Sequence, residues 1–466
     1  MANNDDGVPH DHANTGDFVV TRGARGGHRP LRWTARSIVV SVVIVATTLC
    51  SISGADARPS MIDQDVRGGT SVGDPSPSTI KPLIVTRLDR RITAPALGRD
   101  VSVAVVDLAT GAIAYTHRPN ARQLPASTMK LVTASNALAT MGARHRLSTM
   151  VFVDHRRNMV TLQCGGDPLL TSDNLRRLAR AAARRVDRSK PVRVVIDSRL
   201  FPRPSRAPGW PGAYLPLVVA PVTCLGRLGD YSTDPIAGSA AVFTRTLGAQ
   251  GVRVASTRFL HRGRAQQPPG VVVGTVSHSV RQAVQHMLQV SENNVAEVLY
   301  RHIALARGLP PTWRGGRRAA VATQRELGMD GTGTRLADGS GVSRADRLTA
   351  TGLARLVYLT RTDPRFTTMY APAAMPRAGR TGTLASRYHR FSAPQTTCAR
   401  GRVLAKTGTL HDTVSLAGVA RGKRGTPADG HAYAFAVLVN NRVSSTSTLT
   451  VRKNVDRIAT TLTGCW

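Results

Sequence analysis

The 466-residue chain has few aromatic residues, 4% of the total, and only six lysines: Lys81, Lys130, Lys190, Lys406, Lys423 and Lys453. It contains no His-Glu-x-x-His sequence, which argues against the common zinc-peptidase arrangement. Zinc-finger spacing and the aromatic-rich motif of an RNA-binding sheet are also missing. Acidic residues are sparse, 28 against 63 Lys and Arg, so the formal net charge is +35. Such a charge suits an anionic membrane surface or polymer. The arginines are spread along the chain rather than gathered in one block, and few aromatics are available to stack on bases. Together these features argue against a specific nucleic-acid reader.

What is present begins with a basic stretch, Arg22, Arg25, Arg29, Arg32 and Arg36, followed by an apolar run from Ser37 to about Ile52 and the small-residue site Ala55-Asp56-Ala57. That order predicts a signal peptide or membrane anchor over residues 37–57, with a disordered basic cytoplasmic tail at 1–36. Everything downstream is then extracytoplasmic: secreted, or anchored to the cytoplasmic membrane in the cell wall or periplasmic space. His10, Asp11 and His12 lie in the polar tail and are not read as a metal site. Residues 58–83, rich in Pro, Ser, Gly and Asp, read as a linker. Four cysteines remain beyond the signal, Cys164, Cys224, Cys398 and Cys465. An even number in an exported chain suggests two disulfides, with three possible pairings. Cys164 with Cys224 and Cys398 with Cys465 are favoured, because each pair would staple one domain. Four buried free thiols are the alternative.

Val101 to Leu108, a turn at Ala109-Thr110-Gly111, and Ala112 to Tyr115 predict a hairpin. Leu131, Val132, Leu138 and Met141 then recur at helical spacing, which puts Ser127 in the first turn of a helix. A different texture over residues 151–275, with an Arg-rich helical segment (Leu175 to Arg188) and a strand (Val192 to Asp197), marks an inserted domain. A helical pattern resumes from Val276 to Arg307. Arg402 to Thr409, Thr413 to Arg421 and Ala432 to Asn440 predict an antiparallel sheet, and Thr446 to Leu462 a helix on it. The fold class is therefore mixed α/β (α+β): an antiparallel sheet flanked by helices, built from residues 84–150 and 276–466, plus the smaller insert.

Three short motifs follow one another: Ser127-Thr128-Met129-Lys130, Ser291-Glu292-Asn293 and Lys406-Thr407-Gly408-Thr409. Residues i and i+3 share a helix face, so Lys130 can reach the hydroxyl of Ser127. Burial near a second cation lowers an amine's pKa towards the neutral form a base requires, and Lys406 can be that cation. Free backbone N–H groups at the helix start suit an oxyanion. Ser291 can relay a proton, and Asn293 offers an amide to a substrate backbone. Lys406, with Thr407 and Thr409, suits a substrate carboxylate, while Gly408 permits close backbone approach. Ser127, Lys130 and Ser291 are thus the catalytic candidates, and Asn293, Lys406, Thr407, Gly408 and Thr409 the substrate-binding ones. Asp167 reads as a turn or cap residue, Glu297 as a solvated or paired helix acid, and Asp338 to Ser343 as a Gly-rich turn.

The chain resembles the D-alanyl-D-alanine carboxypeptidase/endopeptidase group of penicillin-binding proteins, low-molecular-mass class C, peptidase family S13. The stretches that carry the likeness are Pro125 to Ala134, Gly165-Gly166-Asp167-Pro168, Ser291-Glu292-Asn293, Asp338 to Arg344, Gly382 to Arg387 and Ala405 to Leu410. The resemblance implies a penicillin-binding, transpeptidase-like domain and a serine DD-peptidase that cleaves the terminal D-Ala-D-Ala bond of peptidoglycan stem peptides through an acyl-enzyme. It also implies covalent inhibition by β-lactams, action on D-Ala-meso-DAP cross-links in some members, and an oxyanion hole from the N–H groups of Ser127 and Thr409. No metal or organic cofactor is expected. Glu292 stands where the family usually has Asp, a position that is not the reacting group. The insert is shorter than in three-domain members, which implies a missing or reduced outermost domain. The rival readings are a β-lactamase on the same fold and a non-catalytic basic cell-wall-binding protein.

Overall fold

In the computed structural model, which describes residues 80–466, the chain enters through helix α1 (Pro82–Ile92). Proline is tolerated at this first turn because the N–H it lacks has no intrahelical partner there. Strands β1 (Asp100–Asp107) and β2 (Ile113–His117) form the expected hairpin. A 3-10 turn at Ala126–Thr128 leads into α2 (Met129–Met141). The chain next builds β3 (Arg146–Asp154), β4 (Met159–Gln163), α3 (Ser172–Ala183), β5 (Val192–Asp197), α4 (Pro235–Ala249), β6 (Val254–Leu260) and β7 (Val271–Ser279). It returns through α5 (Val280–Val290), α6 (Asn293–Ala306), α7 (Trp313–Glu326) and α8 (Ala350–Thr362). The last elements are β8 (Val403–Leu410), β9 (Thr413–Arg421), β10 (Ala432–Asn440) and α9 (Thr448–Thr461).

Two five-stranded sheets result. The first, in the order β2-β1-β10-β9-β8, is antiparallel throughout, and the second, β6-β5-β4-β3-β7, is mixed, with parallel β4–β5 and β5–β6 pairs. The architecture is the mixed α/β class expected. Side chains of β10 alternate across its sheet: Ala434, Ala436 and Leu438 join one apolar cluster, and Tyr433, Phe435, Val437 and Val439 the other. Helices cover both faces, α2 and α8 on the first side and α1 and α9 on the second. That double burial explains why β10 reads as a nearly continuous apolar run.

Helix α2 is buried from Met129 through Leu138 without a break. Its polar residues are therefore satisfied internally: Thr133 Oγ1 donates to Gly339 O at 2.6 Å, and Gln324 Nε2 donates to Asn136 Oδ1 at 2.6 Å.

Three expectations need correction. The helical pattern does not resume at Val276, because β7 runs to Ser279 in register with β3, and the helix starts only where Ser279 and Gln282 form a capping box. Helix α1 also starts inside the expected linker, at Pro82. Cys164 and Cys224 are bonded, but Cys398 and Cys465 remain separate thiols, although the two side chains face each other. The expected tail and apolar segment, with His10, Asp11 and His12, lie outside the described residues. Among the described residues, no helix is long and apolar enough to cross a membrane.

Candidate active site

The site is assembled from the turn before α2, the α5–α6 junction, the Asp338–Ser343 loop and strand β8. Ala126 has φ 47° and Ser291 has φ 65°, left-handed values that a residue with a Cβ adopts at a cost of order 1–3 kcal/mol. Both strained residues lie at the reacting groups. After Ala126 the chain turns into α2, so Ser127 stays partly open to solvent while Lys130, three residues on, is fully buried.

Lys130 Nζ makes three contacts: Ser127 Oγ at 2.9 Å, Asn293 Oδ1 at 2.7 Å and Ser340 O at 2.9 Å. Asn293 is fixed in that orientation because its Nδ2 donates to Val218 O at 2.7 Å. Burial pulls the Lys130 amine down to about 8, against the opposing pull of Glu297, Asp338 and Glu292.

Lys406 is also fully buried and donates to Ser291 Oγ at 2.8 Å and to Thr407 O at 2.8 Å. Burial holds its amine well below the ordinary lysine range, helped by the positive charges of Lys130 and Arg390. The two lysines thus converge on one short turn, through Ser291 and Asn293. Glu292 points the other way: it accepts from Tyr231 Oη at 2.6 Å and from Asn294 N at the start of α6. Tyr231 belongs to the segment between β5 and α4, so Glu292 tethers the turn to that segment.

Strand β8 is the edge of its sheet, which leaves one row of backbone groups unpaired by a neighbouring strand. It presses on the Ser127 turn at Gly408, where a Cβ would stand 2.1 Å from Ser415 Oγ, 2.8 Å from Pro125 O and 3.0 Å from Ser127 N. Ser415 Oγ in turn donates to Pro125 O at 2.6 Å. Thr407 and Thr383 share a hydrogen bond of 2.8 Å between their hydroxyls, and Thr409 pairs with Val414 in the β8–β9 ladder.

Hydrogen bonds thus join Ser127, Lys130 and Asn293 in one group and Ser291, Lys406 and Thr407 in another, the two meeting at the Ser291–Asn293 turn, with Gly408 packed on the Ser127 turn and Thr409 next along the strand. Two participants, Thr383 and Glu297, are not expected from the sequence, while a third, Ser340, lies in the Asp338 to Arg344 stretch that the family resemblance places by the active site. Ser340 contributes a backbone carbonyl, which leaves no trace in residue identity. Thr383 lies in the Gly382 to Arg387 stretch, whose role was not read. Glu297 is neither solvated nor ion-paired as expected: it is fully buried, and both carboxylate oxygens accept backbone N–H groups. Asp167 is a turn residue that accepts from Leu169 N, and it also meets His278 Nδ1 at 2.7 Å.

A helix-start serine in contact with a buried lysine, a serine and asparagine on a second turn and a third lysine-bearing edge strand define a serine acyl-transferase of the penicillin-binding type. The comparisons with known proteins carry this to a family. The chain belongs to the D-Ala-D-Ala carboxypeptidase 3 (S13) family, which it matches over residues 84–224 and 228–462. It is 28% identical to carboxypeptidase DacB of Mycolicibacterium smegmatis, covering 94% of this chain and 99% of that protein. It is 27% identical to a D-alanyl-D-alanine carboxypeptidase of an Actinomadura species, covering 78% of this chain and 82% of that one. Its fold is shared with penicillin binding protein 4 of Haemophilus influenzae at a TM-score of 0.68 and 18% identity, over 81% of this chain and 97% of that one. The chain is accordingly a serine-type D-Ala-D-Ala carboxypeptidase.

Proposed function

We propose that Ser127 attacks the carbonyl carbon of the penultimate D-Ala of a peptidoglycan stem peptide, with Lys130 as its general base. One observation carries this: the acceptors around Lys130. Asn293 Oδ1 and Ser340 O can only accept, so each takes an N–H of the amine. A neutral amine has two N–H groups and one lone pair. With both N–H groups engaged, the lone pair is left for the hydroxyl of Ser127, 2.9 Å away.

The chemistry then balances. The hydroxyl proton passes to Lys130 as the Oγ–C bond forms, and the backbone N–H groups of Ser127 and Thr409 receive the oxyanion. Collapse breaks the amide C–N bond, and the departing D-Ala nitrogen takes the proton from Lys130 by way of Ser291. Water, deprotonated by Lys130, then attacks the acyl carbon; the Ser127 Oγ–C bond breaks, Oγ takes the proton back from Lys130, and the shortened peptide leaves. Lys406, Thr407 and Thr409 hold the terminal carboxylate, and Asn293 the substrate backbone. A β-lactam presents the same carbonyl and carboxylate, so it acylates Ser127 as well. On this reading residues 84–150 and 276–466 form the catalytic domain and 151–275 the inserted one. The enzyme works extracytoplasmically on the wall, with residues 37–57 as its signal peptide or membrane anchor.

The deciding measurement is mass spectrometry of the protein after exposure to penicillin, alongside release of D-Ala from a D-Ala-D-Ala peptide. A penicilloyl adduct on the Ser127 peptide, absent in Ser127→Ala, is the expected result. No adduct, or one that persists in Ser127→Ala, overturns the proposal. Rapid multiple turnover of penicillin without D-Ala release would make the protein a β-lactamase instead.

A further inference from the structure

The residue that orients Lys130 from behind is not itself among the motif residues. Gly339 N donates to Glu297 Oε2 at 3.0 Å and Ser340 N to Glu297 Oε1 at 2.8 Å. The next peptide unit, Ser340–Gly341, carries the carbonyl that receives Lys130, and its N–H donates to Asp338 Oδ1 at 2.7 Å. Thr133 Oγ1, on α2 itself, holds the Gly339 carbonyl at 2.6 Å. Three successive peptide units under the base are thus pinned by side chains.

Only a carboxylate has two acceptor oxygens in the right arrangement for two consecutive N–H groups; an amide has one. This geometric demand accounts for an acid here, yet its location carries a cost. Glu297 is fully buried, and neither oxygen has an ion-pair partner among the described residues. Burial and the nearby Asp338 push its carboxyl up to about 8, while the two backbone N–H groups pull the other way. Lys130 feels Glu297 more than any other charge. The remaining titratable groups facing this pocket are Asp338 and Asp346 from the loop, Glu292 from the α5–α6 turn, Lys406 from β8, and Tyr300 and Arg301 from α6. Burial and Asp338 push the Asp346 carboxyl well above its ordinary value. Arg301 is occupied elsewhere: it donates to Pro311 O and lies 3.9 Å over the Trp313 ring. Lys130 and Glu297 therefore form a buried acid–base couple joined through backbone rather than by contact.

We infer that Glu297 is a positioning residue for the reaction: it clamps the Gly339–Ser340 backbone so that the Ser340 carbonyl fixes Lys130 against Ser127. This rests on the assignment of Lys130 as base. Because the clamp touches neither substrate nor the Lys406 strand, it acts on acylation and not on ground-state binding.

The test compares Glu297→Gln and Thr133→Val with the wild type, measuring the acylation rate by a fluorescent penicillin across pH and the affinity for a D-Ala-D-Ala peptide. Thr133→Val loosens the same loop without altering charge. Both variants should acylate roughly 10- to 100-fold more slowly, the scale of a small misplacement of a reacting group, with peptide affinity unchanged. Slower acylation with unchanged peptide affinity is a split that a merely structural role does not give, because a collapsed site would lose both. Full-rate acylation by a folded Glu297→Gln protein, or an equal loss of peptide affinity, reduces Glu297 to scaffold and overturns the inference. Full-rate acylation by Thr133→Val overturns it too, and this second arm stands even where Glu297→Gln fails to fold. A wild type that does not acylate at all would instead reject the assignment of Lys130.

Discussion

Lys406 reaches Ser291 across 2.8 Å, while Lys130 takes Asn293 only two residues farther along the same turn. The division assigns one lysine to the reacting hydroxyl and the other to the leaving side. Ser291 Oγ accepts from Lys406, which frees its own proton for transfer. On the proposed mechanism Lys406 also stands where a chain-terminal carboxylate would arrive.

A double comparison checks that assignment. Lys406→Gln should lower kcat/KM for a D-Ala-D-Ala peptide by roughly 100-fold, about 2.7 kcal/mol of transition-state stabilisation. On the wild type, amidating the peptide's terminal carboxylate should cost a similar factor, whereas on Lys406→Gln it should cost little, because the two changes remove one interaction. Full additivity of the two losses would show that Lys406 does not hold the carboxylate.

The pH dependence follows from the Lys130 amine, brought down to about 8 by burial. Its active form is neutral, so acylation should rise as pH rises through that value, and roughly a tenth of the molecules hold a competent base at pH 7. Acylation rates measured from about pH 6 to about pH 9.5 should trace this limb. A flat profile, or one that falls with rising pH, would exclude a lysine base.

A stability prediction concerns the ion pair behind Lys406. Arg390 and Asp456 are both nearly inaccessible, and the guanidinium Nε lies 2.9 Å from Asp456 Oδ2, which also accepts from Phe391 N. The pair ties α9 to the segment before β8. Asp456→Ala leaves a buried guanidinium without its partner and should destabilise the fold by about 3–5 kcal/mol. Chemical denaturation midpoints of the two proteins measure this, and a change under about 1 kcal/mol would mean that water or another group satisfies Arg390.

Much of the first sheet was legible because its strands are short, apolar and punctuated: β9 and β10 fall on the expected residues, and β8 within one residue of them. Outside it, β5 matches as well. The second sheet was harder to read. Strands β6 and β7 are its exposed edges, so their sequences lack the clean alternation of a half-buried strand. At the site, Ser127 with Lys130 could be paired from one turn of helix, whereas Ser340 is 210 positions from Lys130 and contributes only backbone. Glu297 looks like any acid on a helix face until α6 is seen to be buried from Val295 through Ala304.

The carbonyl of Val218 has a consequence for how this enzyme can be altered. It lies in the long connection from β5 to α4, far in sequence from every motif, yet it alone holds the amide end of Asn293. If that segment were excised or re-threaded, the Asn293 side chain would be free to turn over and aim N–H at the amine. Lys130 would then spend its electron pair on its own neighbour, and a chain with every signature residue intact would be chemically silent. The β5–α4 connection is thus a lock on one amide's orientation, and shortening it risks the reaction before it affects the substrate.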